Sequence, residues 1–393
     1  MNKFIPLCIP NFEGNEKKYV DDAIDQGWVS TGGAYVTRLE QDMAQFLNVE
    51  KVAVCQSGTA ALHLSLIESG VLPGDMVIVP TLTFIAAVNP VRYQFADPVF
   101  IDCDDSLCID PNKLKEFCEE ECVFGNKVLV HKRTKKNIKA VIVVHVFGNL
   151  ADMDAIMEIA KLYNLKVIED ATEALGSKYT EGKYANKMAG TIGEFGSVSY
   201  NGNKIITTGG GGAVTAKDPS NVEHIQYLST QCKDDPHYYI HNEVGFNYRM
   251  TNVQAALGVA QMEELLEFIL RKQKNYEIYR KEFGEFELGK MLGFRLGTSS
   301  NKWFYSLKID TIKVCATMKE IIMKLEERGV ETRAIWGLIH EQIPYKNDVA
   351  YKMEKAPYYA SCILNLPSST NITKEEIRYV VEQIKITLRE FLI

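Results

Sequence analysis

The chain has 393 residues, 46% apolar and 24% charged, which is ample material for a large core and excludes a disordered protein. Its 44 basic residues stand against 51 acidic ones, a net charge of −7 with no basic block, which excludes a phosphate-tracking nucleic-acid binder. No apolar run reaches the roughly 18 residues of a membrane span, and the proline-broken N-terminus lacks the apolar stretch of a signal peptide, so a cytoplasmic protein is expected.

The first 48 residues predict an arm with two helices. From about residue 50 to 215, short β-branched runs alternate with amphipathic stretches. Strands are predicted at 52–56, 75–80, 98–102, 140–146, 166–170 and 196–200, and helices at 59–68, 84–93 and 153–163. Several strands are apolar on both faces, as expected where helices cover both sides of a mainly parallel sheet. This alternation predicts an α/β doubly wound unit. After residue 218 the pattern changes to a long helix at 251–280, a strand at 303–309, and helices at 318–328 and 374–391. The expected division is a large α/β domain with its arm over 1–250 and a smaller C-terminal α+β domain over 251–393, with 284–297 as the alternative linker.

Nine cysteines, an odd number scattered from Cys8 to Cys362, make no disulfide framework. Cys103/Cys108 and Cys118/Cys122 lack zinc-ligand spacing and no histidine follows them suitably, so they read as reduced apolar fillers and no metal site is expected.

In open α/β sheets ligands collect outside the carboxyl ends of the strands. Those ends here carry Ser57-Gly58-Thr59, Thr83-Phe84, His145 with Phe147-Gly148, Asp170 with Glu173, and Ser199 to Lys204. Lys204 lies between an apolar strand and the run Gly209 to Gly212, a setting that can desolvate an amine and favour the neutral form a Schiff base requires. Asp170 ends an apolar strand, where a carboxylate is costly unless it meets a cation or caps the next helix. Ser57-Gly-Thr opens a helix directly after a strand, so free amides and the helix dipole form an anion site, though the same residues also make an ordinary N-cap. Read alone, Phe84 is a core residue, and His145 is open between a core group and a site group.

Lysine, aspartate, an aromatic and a phosphate cradle on one rim are the parts that pyridoxal 5′-phosphate needs. Across nearly its whole length the chain resembles the DegT/DnrJ/EryC1/StrS family of sugar aminotransferases. The resemblance rests on Gly27-Trp-Val-Ser-Thr-Gly32, Ser57-Gly-Thr-Ala-Ala-Leu-His63, Thr83-Phe-Ile-Ala86, Phe100-Ile-Asp102, His145-Val-Phe-Gly148, Glu169-Asp-Ala171, Ser199 to Gly212, Gly245-Phe-Asn-Tyr-Arg-Met-Thr-Asn252 and Glu331-Thr-Arg333, in the family's order.

The resemblance implies fold type I, the aspartate aminotransferase architecture, and pyridoxal phosphate as cofactor. It implies that Lys204 binds the cofactor covalently and moves the proton, that Asp170 pairs with the pyridinium nitrogen and that Phe84 stacks on the ring. Gly58, Thr59 and Ser199 would hold the phosphate, Glu173 would sit near the phenolic oxygen, and Asn247 would reach the phosphate of a neighbouring subunit, which implies a homodimer. Arg249, Arg333 and His340 are candidates for the nucleotide diphosphate. Two departures from the commonest pattern, Gly210 in place of a glutamate and Glu173 in place of glutamine or histidine, bear on the sugar contacts. With Asn201-Gly-Asn203 they most resemble the branch acting on UDP-linked 4-keto-6-deoxy-N-acetylhexosamines, which serves bacillosamine or legionaminic acid routes in surface-glycan biosynthesis. The expected reaction is amino transfer from L-glutamate to C4 of that sugar. The alternatives are a GDP-linked, perosamine-type C4 ketone, a dTDP-linked C3 ketone, an amino-acid aminotransferase, or a regulator that keeps the fold without catalysis. A dehydratase of the same fold would carry histidine in place of Lys204.

Overall fold

The computed structural model describes residues 4–392. Its main sheet has ten strands. Seven of the eight along its main path fall between Val52 and Ala216, and their order runs Val52–Cys55, Gly212–Ala216, Phe195–Ser199, Lys166–Asp170, Asn137–Val144, Met76–Pro80 and Asp97–Ile101. Lys166–Asp170 pairs in parallel with Asn137–Val144 on one side and Phe195–Ser199 on the other. Gly212–Ala216 reverses beside Phe195–Ser199 in antiparallel register, so the glycine run after Lys204 does turn the chain back. Valine and isoleucine fill Asn137–Val144 and Lys166–Asp170 on both faces because helices cover both faces, and Val141, Ile142, Val143, Val167 and Ile168 are wholly buried. Parallel strands carry their carboxyl ends to one rim, which places Ser57, Thr83, Asp170 and Ser199 together.

The segment 84–93 is not one helix. A 3-10 turn covers Ile85–Ala87 and a short helix Asn89–Tyr93, with Pro90 in its first turn. Proline cannot donate to the preceding turn, so the helix restarts there. Phe84 consequently sits in extended backbone before the turn and is 54% exposed. The reading of Phe84 as a core residue is therefore corrected.

The long helix runs Asn252–Phe283, opened by a capping box in which Thr251 and Gln254 satisfy each other's amides. Gly284, at φ 52, ends it. Beyond it a four-stranded antiparallel sheet orders Gly289–Met291, Tyr305–Ile309, Ile363–Leu366 and Arg333–Ala334. Its core, with Tyr279, Phe283, Leu325, Val380 and Ile384, is separate from that of the large sheet. One strand from this part of the chain, Val349–Tyr351, pairs in parallel with Asp97–Ile101 at the edge of the large sheet. Among the described residues no helix is long and apolar enough to cross a membrane.

Candidate active site

A cavity of about 600 Å³ opens at the strand-end rim between the two sheets. It is lined by Gly58, Thr59, Phe84, Asp170, Glu173, Ser199, Lys204 and Arg333, so eight of the expected site residues share one space. Lys204 follows the strand Phe195–Ser199 by one tight turn, closed by its own amide donating to Asn201 O at 3.0 Å. Its Nζ lies 3.6 Å from Glu173 Oε1 and 4.0 Å from the centroid of the Trp303 ring.

The carboxylates are deeply held. Asp170 is 3% exposed, and its Oδ1 accepts from the Thr172 amide at 3.1 Å. Burial pushes its carboxyl above the ordinary range, and Thr172 and the charge of Lys204 pull it back only partly. Glu173 is 5% exposed, with Oε2 accepting from the Phe147 amide at 2.8 Å. Burial drives its carboxyl up to about 7 against the opposing pull of Lys204. Glu169 faces the other side of its strand. It is wholly buried, accepts from the amides of Gly190, Ile192 and Gly193, and meets His145 Nε2 at 2.9 Å. The other ring nitrogen of His145 accepts from the Ala151 amide at 3.2 Å, so the imidazole is fully engaged and is a core group.

The helix Gly58–Glu68 points its N-terminus at the cavity. Ser57 caps it by accepting from the Ala60 amide at 3.0 Å, which leaves the Gly58 and Thr59 amides facing the opening. A Cβ added at Gly58 would meet Ser199 Cβ at 2.9 Å and Thr172 Cγ2 at 3.0 Å, so only glycine lets this amide approach a bound group so closely.

Asn247, Arg249 and His340 are not brought to this cavity. Arg249 is spent on Glu40, 2.6 and 3.1 Å from its two carboxylate oxygens, and donates to Val54 O at 3.2 Å. His340 Nδ1 is 2.6 Å from Thr81 Oγ1, beneath the rim. Both expectations of a diphosphate contact are corrected for the chain's own cavity, because each group is already satisfied elsewhere. Asn247 is exposed on a segment bridged to Thr230. Arg333 does reach the cavity and pairs with Glu331 Oε1 at 3.0 Å.

Of the aromatic wall only Phe147, at a strand end, stands out in the sequence; Trp303, Phe304 and Trp336 carry no signal there. Trp303 stacks on Phe304 at 4.0 Å, Phe147 meets Trp336 at 4.7 Å, and all four line the opening. Trp303 Nε1 donates to Asn203 O at 2.7 Å, beside Lys204. Leu7 and Cys8 of the N-terminal arm close one side.

Pyridoxal phosphate requires a primary amine, an acid for its ring nitrogen, a dry flat slot and donors for a phosphate. The residues fit this demand. The slot has Lys204 at one side, a desolvated Asp170 that forms no ion pair among the described residues, and the glycine-opened amides of Gly58 and Thr59 beside the Ser199 hydroxyl.

The comparisons with known proteins agree. The model of the DegT/DnrJ/EryC1/StrS aminotransferase family matches residues 10–385. GDP-perosamine synthase of Escherichia coli O157:H7 is 34% identical over 387 residues, covering 97% of this chain and 98% of that one. EpsN of Bacillus subtilis (strain 168), which bears a pyridoxal phosphate-dependent aminotransferase name by assignment, is 33% identical over 387 residues, covering 97% and 95%. The fold matches Helicobacter pylori PseC, an aminotransferase of pseudoaminic acid biosynthesis, with a TM-score of 0.88 at 21% identity, over 99% of this chain and 100% of that one.

Proposed function

The chain belongs to the DegT/DnrJ/EryC1/StrS aminotransferase family, whose sugar aminotransferases depend on pyridoxal phosphate, and from that premise we propose that it moves an amino group from L-glutamate to the C4 ketone of a GDP-linked, perosamine-type sugar. The observation that carries the chemistry is the Lys204 amine 3.6 Å from the Glu173 carboxylate, in a cavity shared with Asp170 and the N-terminus of Gly58–Glu68. The nucleotide rests on relatives: GDP-perosamine synthases of three bacteria are 32 to 34% identical over nearly the whole chain. That replaces the UDP-linked sugar expected from the residues around Lys204.

Pyridoxal phosphate, when bound, supplies an aldehyde that carries the amino group and a ring that accepts the electrons released at the reacting carbon. The chain supplies placement and proton control. Gly58, Thr59 and Ser199 hold the phosphate with amides and hydroxyls aligned by the helix dipole. Asp170, kept from water, holds a proton on the ring nitrogen through an ion pair that burial makes strong. Phe84 and the wall of Trp303, Phe304 and Trp336 exclude water from the ring's surroundings. Lys204 Nζ would hold the cofactor and would carry the proton between the reacting carbons. A second copy of the chain contributes Asn247 across a homodimer interface. Arg333, which lines the cavity, takes the anionic part of the substrate in exchange for Glu331.

The test offers the purified holoenzyme GDP-, UDP- and dTDP-linked keto sugars with glutamate, and mass spectrometry reports which gains an amine. Amination of the GDP-linked 4-ketone alone is expected; a UDP- or dTDP-linked product would overturn the nucleotide. Lys204→Ala should lose covalent cofactor and lower turnover by about 10³-fold or more. A Lys204→Ala protein that transaminates at the wild-type rate would overturn the chemistry.

A further inference from the structure

We propose that Glu173 is a catalytic base of this site: its Oε1 receives the proton that must leave Lys204 Nζ before that amine can bond the aldehyde carbon of pyridoxal phosphate. The inference rests on the reading of Lys204 as the cofactor-binding lysine.

An ammonium has no lone pair with which to attack a carbonyl carbon, so an acceptor must stand within reach of Nζ. Glu173 Oε1 stands 3.6 Å away, an ion-pair distance that has to close by roughly half an ångström, or be bridged by one water, for the proton to pass. Its other oxygen is pinned by the Phe147 amide at 2.8 Å, in a turn where Phe147 takes φ 56, and this fixes which oxygen faces the amine. Both partners are shielded, the Lys204 side chain at 13% and the Glu173 side chain at 5% exposure. Passing the proton from nitrogen to oxygen converts a buried pair of opposite charges into a neutral amine and a neutral acid. Poor solvation of both charges therefore favours the transfer. A carboxyl raised to about 7 is basic enough to accept at neutral pH, where an ordinary glutamate is not.

The other carboxylates and the histidine around the cavity do not serve, and the Cys8 thiol donates to Asn203 O at 3.6 Å. Asp170 accepts from Thr172 and forms no ion pair with Lys204 among the described residues. Glu331 has one oxygen on the Leu7 amide and the other on Arg333. His145 is locked to Glu169 and the Ala151 amide. The step balances without redox change: one N–H bond breaks, its electron pair stays on nitrogen, and one O–H bond forms on Glu173. The neutral amine would then bond the aldehyde carbon, its two remaining N–H protons passing to the aldehyde oxygen, which departs as water.

The experiment strips the cofactor from the protein, mixes it with pyridoxal phosphate, and follows the absorbance of covalent capture over a pH series. In the wild type the capture rate should rise through a transition near pH 7. In Glu173→Gln, which is isosteric and keeps an acceptor for the Phe147 amide, capture at neutral pH should slow by about 10²-fold and recover only in alkali. Glu173→Asp should restore part of the neutral rate. Equal capture rates and pH profiles in wild type and Glu173→Gln would overturn the proposal. Should Glu173→Gln not fold, the wild type decides, and a flat profile across neutrality overturns the proposal. If the wild type never captures the cofactor covalently, the reading of Lys204 itself falls, and that outcome is distinct from an unaltered Glu173→Gln.

Discussion

Glu169 and Asp170 are neighbours in the chain, yet a strand's alternation gives them opposite work. Glu169 is saturated by three amides and His145 and is part of the scaffold, whereas Asp170 keeps a poorly satisfied carboxylate toward the cavity. Its carboxyl is raised by burial, so its ionised form costs stability in the cofactor-free protein. With the folded pKa above the unfolded one, the folded state binds more protons, and stability from this group is lost as pH rises through the folded value. Asp170→Asn should therefore make the cofactor-free protein melt higher than wild type at neutral pH, with the gap closing as pH falls toward the ordinary carboxylate range. The same variant should lose activity, because a neutral amide cannot hold a proton on the ring nitrogen. Thermal melts of both proteins over a pH series, beside one turnover assay, check both halves. Gly58 works by what it lacks. Gly58→Ala puts a Cβ 2.9 Å from Ser199 Cβ, so the cradle must widen, and cofactor affinity measured by titration should fall by about tenfold or more.

At the scale of elements, the helix Asn252–Phe283 ties its own start to the site. Thr251 and Gln254 form its capping box, and Gln254 Nε2 donates to Gly210 O at 2.6 Å in the run that follows Lys204. Thr251→Ala should cost about 1 kcal/mol in urea unfolding, the ordinary value of a lost N-cap. Elements whose evidence is local were legible: the doubly apolar strand at 166–170 and the helix at 153–163 appear with the expected bounds. Elements that depend on distant partners were not. Val349–Tyr351 is three residues long and exists because Asp97–Ile101, from the first third of the chain, offers it an edge. The hairpin of Cys122–Gly125 and Val128–His131 hides in a mixed run of charges and apolar residues. The site divides the same way. Lysine, aspartate and the Ser57-Gly-Thr turn sit at strand ends and announce themselves. Trp303 reads as the first residue of a strand, but that strand begins at Tyr305, and Lys302, at φ 52, turns the chain so that the indole swings over Lys204 instead.

The whole molecule is two apolar cores joined along one rod. The helix Asn252–Phe283 is about 48 Å long at 1.5 Å per residue. It gives Ala255, Val259 and Phe268 to the core of the large sheet and Tyr276, Tyr279 and Phe283 to the other. Lys272 lies at the crossover, 1% exposed, with Nζ donating to Trp303 O at 2.8 Å and Ser368 O at 2.5 Å. It forms no ion pair with a carboxylate among the described residues, and burial lowers its ammonium to about 8. Its carbonyl partner is the backbone of the residue that covers Lys204, so this buried charge fixes the aromatic wall to the rod. Such a charge costs stability while it persists. Between about pH 8 and the ordinary lysine value near 10.5, the unfolded chain binds this proton more than the folded one does, and the contribution of Lys272 to stability must rise with pH. Buried thiols such as Cys55, Cys108 and Cys118, pushed up by burial, work in the opposite direction once unfolded cysteines ionise near about pH 8.5, and buried Tyr279 and Tyr305 do so once unfolded tyrosines ionise near about pH 10. Those contributions are shared with a protein that lacks only the Lys272 amine, so between about pH 8 and 9.5 Lys272 should add about 1.5 kcal/mol to the wild type's unfolding free energy relative to that protein. Lys272→Met keeps the volume and removes the charge. Urea unfolding of the two proteins across that window should show the wild type gaining about that much relative to Lys272→Met, whatever the common trend of the two profiles. Parallel pH profiles would mean that the join between the two cores does not hold a buried charge.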